Sequence, residues 1–331
     1  MRNGNDALRR GIRRLACTAL AAGTLLATMA VAQVFPDRPL KLVVTYPAGG
    51  STDVIARVIA TRLGERLKQP VVVDNRPGAS GMIGSELVAK SAPDGYTLIM
   101  AVADTHSINP HVYANIRYDA RRDFTPVAMI GYVSYALIVT PSVAATTVPQ
   151  FVALAKEKPG KLTFASWGVG SSSQVAVELL KADAKVDLLH VPFQGAAPAI
   201  SAVIGGQVDA MMVPLTLAEP NQKAGKVKLL AVAAEKRFPG APDAPTFAEQ
   251  GMPMVAGVWL GVLGPANLPE PVVTLLNREI NAVLNDAQVR ETLVKNGLDA
   301  MPQSAPQFRT YLDSEYEKWG RIVKGAAIKA E

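Results

Sequence analysis

Leu40-Lys-Leu-Val-Val-Thr-Tyr-Pro-Ala-Gly-Gly-Ser-Thr-Asp53 is followed by Val54, Ile55, Val58, Ile59, Leu63 and Leu67. The stretch reads as a strand from Leu40 to Tyr46, a glycine turn, and a helix whose apolar residues recur every three or four positions. A near-continuous Val/Leu run suits a strand buried on both faces of a parallel sheet. The unit repeats outward. Val71-Val-Val73 is a short strand ending in the turn Asn75-Arg-Pro-Gly78, Met82 to Ala89 resumes a helix, and Asp94-Gly95 turns into the apolar strand Tyr96 to Val102.

The rhythm restarts after a strand-rich segment, Val127 to Val139, and a connector bracketed by Pro141 and Pro149. Strands are expected at Leu162–Ser166, Leu188–Phe193, Val208–Val213 and Val227–Ala233. Helices are expected at Phe151–Lys158, Ser173–Ala184, Ala197–Ile204 and Leu217–Ala224. A last apolar segment, Val255–Leu263, is followed by helices only, the final one carrying Phe308, Tyr311, Leu312, Trp319, Ile322 and Val323 on one face. Two βα series predict an α/β fold of two open, mostly parallel sheets with flanking helices. The terminal helices return to the first lobe. Residues 33–137 plus 257–331 then form lobe 1 and 138–256 lobe 2, with crossing strands near 137–140 and 254–258.

The 331 residues are 49% hydrophobic and 19% charged, which excludes a disordered chain and, at ~100–200 residues per domain, favours two domains. The formal charge is +6, but Arg2, Arg9, Arg10, Arg13 and Arg14 against Asp6 account for most of it. The balance gives no support to nucleic-acid binding. Those arginines open an export signal: a basic stretch, an uncharged run from Leu15 to Val31, and the small-x-small site Ala30-Val31-Ala32. The run sits at the short edge of the ~17–25 residues needed to span a bilayer and is rich in Ala and Thr, so cleavage near Ala32 is favoured over an anchor. An exported product follows. Cys17, the only cysteine, lies in this leader, leaving the mature chain no disulfide, thiolate nucleophile or cysteine metal site.

Four strand-to-helix loops could hold a ligand. The first, Tyr46–Asp53, has Gly49 and Gly50 for close backbone approach, then Ser51 and Thr52 hydroxyls at a helix start that favours an anion. Ordinary capping by Ser51, Thr52 or Asp53 explains the same residues equally well. The others are Ser166-Trp-Gly-Val-Gly-Ser-Ser-Ser-Gln174, Pro192-Phe-Gln-Gly-Ala-Ala-Pro198 and Asp104-Thr-His-Ser-Ile-Asn109, the last contributing Thr105. Glycine and serine are also what turns use. Jointly, four such loops at strand ends argue for a cleft lined by amides and hydroxyls. Trp167 either packs between elements, the default for an indole, or offers the cleft a stacking face.

Catalytic readings find little. There is no Gly-x-Ser-x-Gly elbow, no phosphate-binding Gly-x-x-x-x-Gly-Lys loop and no His-Glu-x-x-His. His106, His111 and His190 read as structural, and so does Asp209 at a turn into a strand. No cofactor or metal site is indicated.

Pro36-Asp-Arg-Pro39, Tyr46–Asp53, Val73-Asp-Asn-Arg-Pro-Gly-Ala79, Ala92-Pro-Asp-Gly-Tyr-Thr-Leu98, Ile108-Asn-Pro110, Lys158-Pro-Gly-Lys-Leu162, His190-Val-Pro-Phe193, Gly205-Gly-Gln-Val-Asp209 and Ala224-Gly-Lys226 together resemble the Bug (TctC-like) extracytoplasmic solute receptors. The resemblance covers the mature chain in order. It implies a two-lobed periplasmic binding protein of the type II, Venus-flytrap kind, a monomer that delivers an organic acid to the membrane subunits of a tripartite tricarboxylate transporter. By position it implies carboxylate contacts from Ala48, Gly49, Gly50, Ser51, Thr52 and Asp53 in one lobe. The other lobe would contribute Ser166, Gly168, Ser171, Ser172, Gln194, Gly195 and Ala196. Trp167 stands where the family often has a small or polar residue, Gln174 where it has His, and Gln194 where it has Lys or Arg. Those departures favour a mono- or dicarboxylate with an apolar or aromatic body over a citrate-like tricarboxylate. A sensor docking onto a signalling partner, and a secreted hydrolase using a Ser/His pair, are the alternative readings.

Overall fold

The structure, a computed structural model, describes residues 35–329; the leader and its cleavage point lie outside the described residues. From Arg38 onward the first βα series forms as β1 (Leu40–Val44), α1 (Ser51–Leu67), β2 (Val71–Asn75), α2 (Met82–Ala89) and β3 (Thr97–Val102). β1 lies between β2 and β3 and is parallel to both. Ile55, Ile59 and Leu63 of α1 are buried, the i, i+4 stripe that a helix covering a sheet requires. A π-helical turn, Asp104–Ile108, and the short helix α3 (Asn109–Val112) follow β3.

β4 (Phe124–Val139) then runs for 16 residues through the molecule. Its first part pairs with β9 (Gly257–Pro265) as far as Ser134↔Gly257. From Tyr135 it pairs instead with β7 (Ala210–Pro214) and, from Ala136, with β8 (Lys228–Val232). The second series is α4 (Val148–Glu157), β5 (Thr163–Ser166), α5 (Ser172–Ala184), β6 (Leu189–Pro192), α6 (Ala196–Ile204), β7, α7 (Leu215–Lys223) and β8. Here β5 lies between β6 and β7, parallel to both, so the local order 6-5-7 repeats the 2-1-3 order of the first series.

The side-chain alternation of β4 explains why this half is so well buried. Tyr135, Leu137 and Val139 enter one apolar cluster with Phe151, Phe164 and Leu180, while Ala136 and Ile138 enter another with Val203, Met211 and Val213. Both faces of the sheet are thus covered, each fully buried large side chain contributing roughly 1.5–3 kcal/mol.

Two expectations are corrected. The described strands join through β4 into one mixed sheet rather than two separate, mostly parallel ones, because β4 and β9 run against each other and against the strands beside them. The tail is not helical throughout: between α8 (Glu270–Asn285), α9 (Ala287–Lys295) and α10 (Ala305–Gly325) lies β10 (Leu298–Ala300), antiparallel to Gly131–Val133. A Cβ at Gly131 would come within 2.3 Å of the Asp299 carbonyl oxygen, so the close pairing needs glycine there. α10 starts with a capping box between Ser304 and Gln307, and its Phe308 and Leu312 pack with Trp259 of β9 and with Ile99 and Ala101 of the first series.

Candidate functional site

A cavity of about 730 Å³ opens where the carboxyl ends of the parallel strands of both series converge. That size suits a small organic ligand. The loops after β1, β2, β3, β5, β6 and β7 all reach it, through Tyr46–Pro47 and Gly49–Thr52, Ser80, Asp104 and Asn109, Trp167–Ser172, Gly195–Ala197, and Thr216–Leu217. Val133 and Tyr135 of β4 and Val258 and Leu260 of β9 line it as well.

Ten of the fifteen sequence-predicted residues lie on this lining: Gly49, Gly50, Ser51, Thr52, Trp167, Gly168, Ser171, Ser172, Gly195 and Ala196. Ala48, Asp53, Thr105, Ser166 and Gln194 lie outside it. Ala48 and Gln194 are exposed. The other three are buried and hold the loops in shape. The Asp53 carboxylate accepts from the Gly49 amide at 2.9 Å, from Arg57 Nε at 3.0 Å and from Asn75 Nδ2 at 2.9 Å. Burial pushes its pKa up, but those three hydrogen bonds outweigh burial and leave it below the usual range. Thr105 Oγ1 donates to the Val102 carbonyl at 3.1 Å, and the Tyr118 hydroxyl donates to the Thr105 carbonyl at 2.6 Å, closing the π-helical turn. Ser166 Oγ meets His190 Nε2 at 2.7 Å and the Gly168 carbonyl at 2.9 Å.

Four helix N-termini face the cavity, and they differ. α1 begins at Gly50, α6 at Gly195 and α7 at Pro214, and none of these three has a side-chain cap. Their first amides therefore lack a covering side-chain oxygen, and the helix dipole adds a positive end at each. α5 is capped twice: Ser171 Oγ accepts from the Gln174 amide, and the Asp104 carboxylate accepts from Ser172 N and Ser172 Oγ, each at 3.1 Å. The Tyr135 hydroxyl, 2.7 Å from Ser172 Oγ, completes this chain.

Among the described residues, no Lys, Arg or His lines the cavity, and Asp104 is the one charged side chain on its lining. Burial raises the Asp104 pKa against the two Ser172 hydrogen bonds that lower it. Trp167 is half-buried, stands edge-on to Tyr135 at 5.7 Å and packs against both clusters of the second sheet section, so it bridges core and cavity together.

The histidines are all structural. His106 sits among Tyr118, Phe124 and Trp259, where burial pushes its pKa down to about 3. His111 Nε2 meets the Tyr316 carbonyl at 3.0 Å, and His190 stacks on Phe164. None lines the cavity. Asp209 accepts from the Thr163 amide and hydroxyl, a structural pairing as expected. Gln174 is no cavity group either: its Oε1 accepts from the Gly170 amide at 2.8 Å.

Sequence reasoning passed over Asp104, although it quoted the loop that carries it. The local signal was there, an acidic residue directly after an apolar strand, but its partner Ser172 is 68 residues away. Val133, Tyr135, Val258 and Leu260 carried no signal beyond apolar strand character.

The family model described as TctC, tripartite tricarboxylate transporter family receptor, matches residues 55–328. A curated relative from Pseudomonas sp. strain P51, the UPF0065 protein in the tcbD-tcbE intergenic region, is 37% identical over 313 residues, 94% of this chain and 93% of its own. The solved structure of R. palustris Rpa4515 with adipate is 34% identical with a TM-score of 0.80, covering 89% of this chain and 100% of that one. MatC from Rhodopseudomonas palustris with bound malate is 33% identical with a TM-score of 0.75, covering 87% and 100%. With uncharged donors converging on a cavity and the match running along most of its length, the chain belongs to the TctC family of tripartite tricarboxylate transporter receptors, which are solute-binding proteins rather than enzymes.

Proposed function

We propose that this protein is a periplasmic receptor that captures a small organic acid in the cavity and presents it to the membrane subunits of a tripartite transporter. The observation that carries this reading is that uncapped helix N-termini from both sheet sections, at Gly50 and Gly195, line one cavity with no basic side chain among its described lining residues. Amides in a fixed array bind a carboxylate strongly once water is excluded, because the local dielectric falls and no reorganisation is needed. The ligands of the two Rhodopseudomonas relatives, adipate and malate, are organic acids and support the class of solute.

The mechanism is closure of two lobes. α1 belongs to one sheet section and α6 to the other, so a carboxylate between them is held by both. The hinge lies where β4 changes partners between Ser134 and Tyr135 and where the chain returns at Gly257. Ligand stabilises the closed state by its differential affinity for closed over open, and the transporter reads the closed form. The receptor works as a monomer in the periplasm, after removal of the leader. A thermal-shift screen of organic acids tests the reading. An acid at ~100 times its dissociation constant adds about 2.7 kcal/mol of stability. A panel of mono- and dicarboxylates, aliphatic and aromatic, that leaves the melting temperature unmoved contradicts it.

A further inference from the structure

α5 offers the cavity no free anion site, although its Gly/Ser-rich start looks like one. The Ser172 amide and hydroxyl both donate to Asp104 at 3.1 Å, and Ser171 Oγ accepts from the Gln174 amide. Asp104 is held in place by its own turn. Thr105 locks onto Val102, Tyr118 locks onto Thr105, and Asn109 Nδ2 donates to the Ser80 carbonyl at 2.9 Å. Asp104 is 8% exposed and its residual surface faces the cavity. The Tyr46 and Tyr135 phenols, both held neutral by burial, interact with it, and no Lys, Arg or His among the described residues lines the cavity beside it. The protein therefore fills the α5 site with a carboxylate of its own. Val102, Val133, Trp167, Leu217, Val258 and Leu260 give the same cavity an apolar wall, beside the uncharged polar side chains of Tyr46, Ser80, Asn109 and Thr216.

We infer that Asp104 is a specificity determinant that restricts the cavity to monocarboxylates with an apolar or aromatic body and excludes a second ligand carboxylate. This rests on the reading of the cavity as an organic-acid site. One carboxylate is accommodated at the α1 and α6 termini. A second finds the α5 amide taken and meets a like charge in a poorly solvated space, with no Lys or Arg among the described lining residues to offset it. At the effective dielectric of such sites, that repulsion amounts to on the order of 10–100-fold in affinity.

Calorimetry with pairs of equal carbon skeleton tests the assignment: hexanoate against adipate, and benzoate against terephthalate. The wild type is expected to bind the monoacid of at least one pair roughly 10-fold or more tighter than its diacid. Asp104→Ala opens the α5 terminus and Asp104→Asn removes the charge while keeping an oxygen that accepts from Ser172; both are expected to shrink that preference by roughly 10-fold. Equal or tighter wild-type binding of the diacids, or a preference unchanged in both folded variants, overturns the role of Asp104 while leaving the receptor reading intact. Binding of neither member of either pair, together with no response to the wider acid panel, contradicts the receptor reading itself. The wild-type comparison alone decides the point if a variant fails to fold.

Discussion

The starts of α1 and α5 look alike in sequence, a glycine pair or glycine-rich turn running into Ser-Thr or Ser-Ser-Ser, yet they do opposite things. α1 begins at Gly50 with no side-chain cap, and the nearest acid, Asp53, is turned back to strap the Gly49 amide. α5 begins at Ser171, whose hydroxyl caps the helix, and a carboxylate from the other sheet section covers the Ser172 amide. A helix start invites an anion from outside only when the protein has not already supplied a partner. Composition cannot report that difference; the origin of the acceptor does.

The sharpest way to break this contrast is a negative charge at α1. Gly50 has φ −74° and ψ 164°, and a Cβ there would meet only the Pro47 carbonyl oxygen at an ordinary 3.5 Å. Gly50→Asp therefore fits and makes a favourable N-cap. Its melting temperature should stay level or rise, while acid binding falls on the order of 100-fold or more by like-charge repulsion. Calorimetry and thermal unfolding on the same sample check both halves. Retained affinity in a folded variant removes α1 from the site.

A milder pair of changes compares the two starts in stability. Ser171→Ala removes a working cap and should cost about 1 kcal/mol. Gly50→Ala removes none and should stay within about 0.5 kcal/mol, the poorer cap being offset by lower unfolded-state entropy. Urea unfolding of the two variants measures this; equal costs would mean that the termini are not differently capped.

The smallest expected effect is in pH. Burial raises the folded-state pKa of Asp104 above the ordinary carboxylate value of 3.8. The folded protein then holds this proton to higher pH than the unfolded chain, so the stability linked to it is complete below about 3.8 and is lost as pH rises through the folded pKa. Asp104→Asn has no such proton. Its melting temperature relative to wild type should climb as pH is raised from about 4 to 7, and a flat difference across that range would show that Asp104 titrates normally.

Much of the fold could be read from residues whose partners are close in the chain. β1 and α1 announce themselves because a strand paired on both sides and buried on both faces must be apolar throughout, and its helix must carry a stripe. In β4 the sequence reads as strand-rich over Val127–Val139 with a crossing near 137–140, whereas the exchange of β9 for β7 falls between Ser134 and Tyr135. Apolar side chains suit both sheet sections, so nothing local fixes the residue at which the partners change. β10 was missed for a related reason: three residues, Leu298–Ala300, have too little pattern, and their place depends on Gly131. The site divides in the same way. Gly49–Thr52, Gly168 and Gly195–Ala196 are legible because backbone approach demands glycine or small residues locally. Asp104, Thr216 and Leu217 acquire meaning only when topology brings several strand ends together.

A crystal structure of the complex with the tightest acid from the screen tests the central claim most directly. The account predicts a carboxylate within hydrogen-bond distance of the amides at Gly50–Thr52 and Ala196–Ala197, with Asp104 still on Ser172. A carboxylate seated instead on the Ser172 amide with Asp104 displaced, or held by a basic side chain away from the α1 and α6 starts, would contradict it.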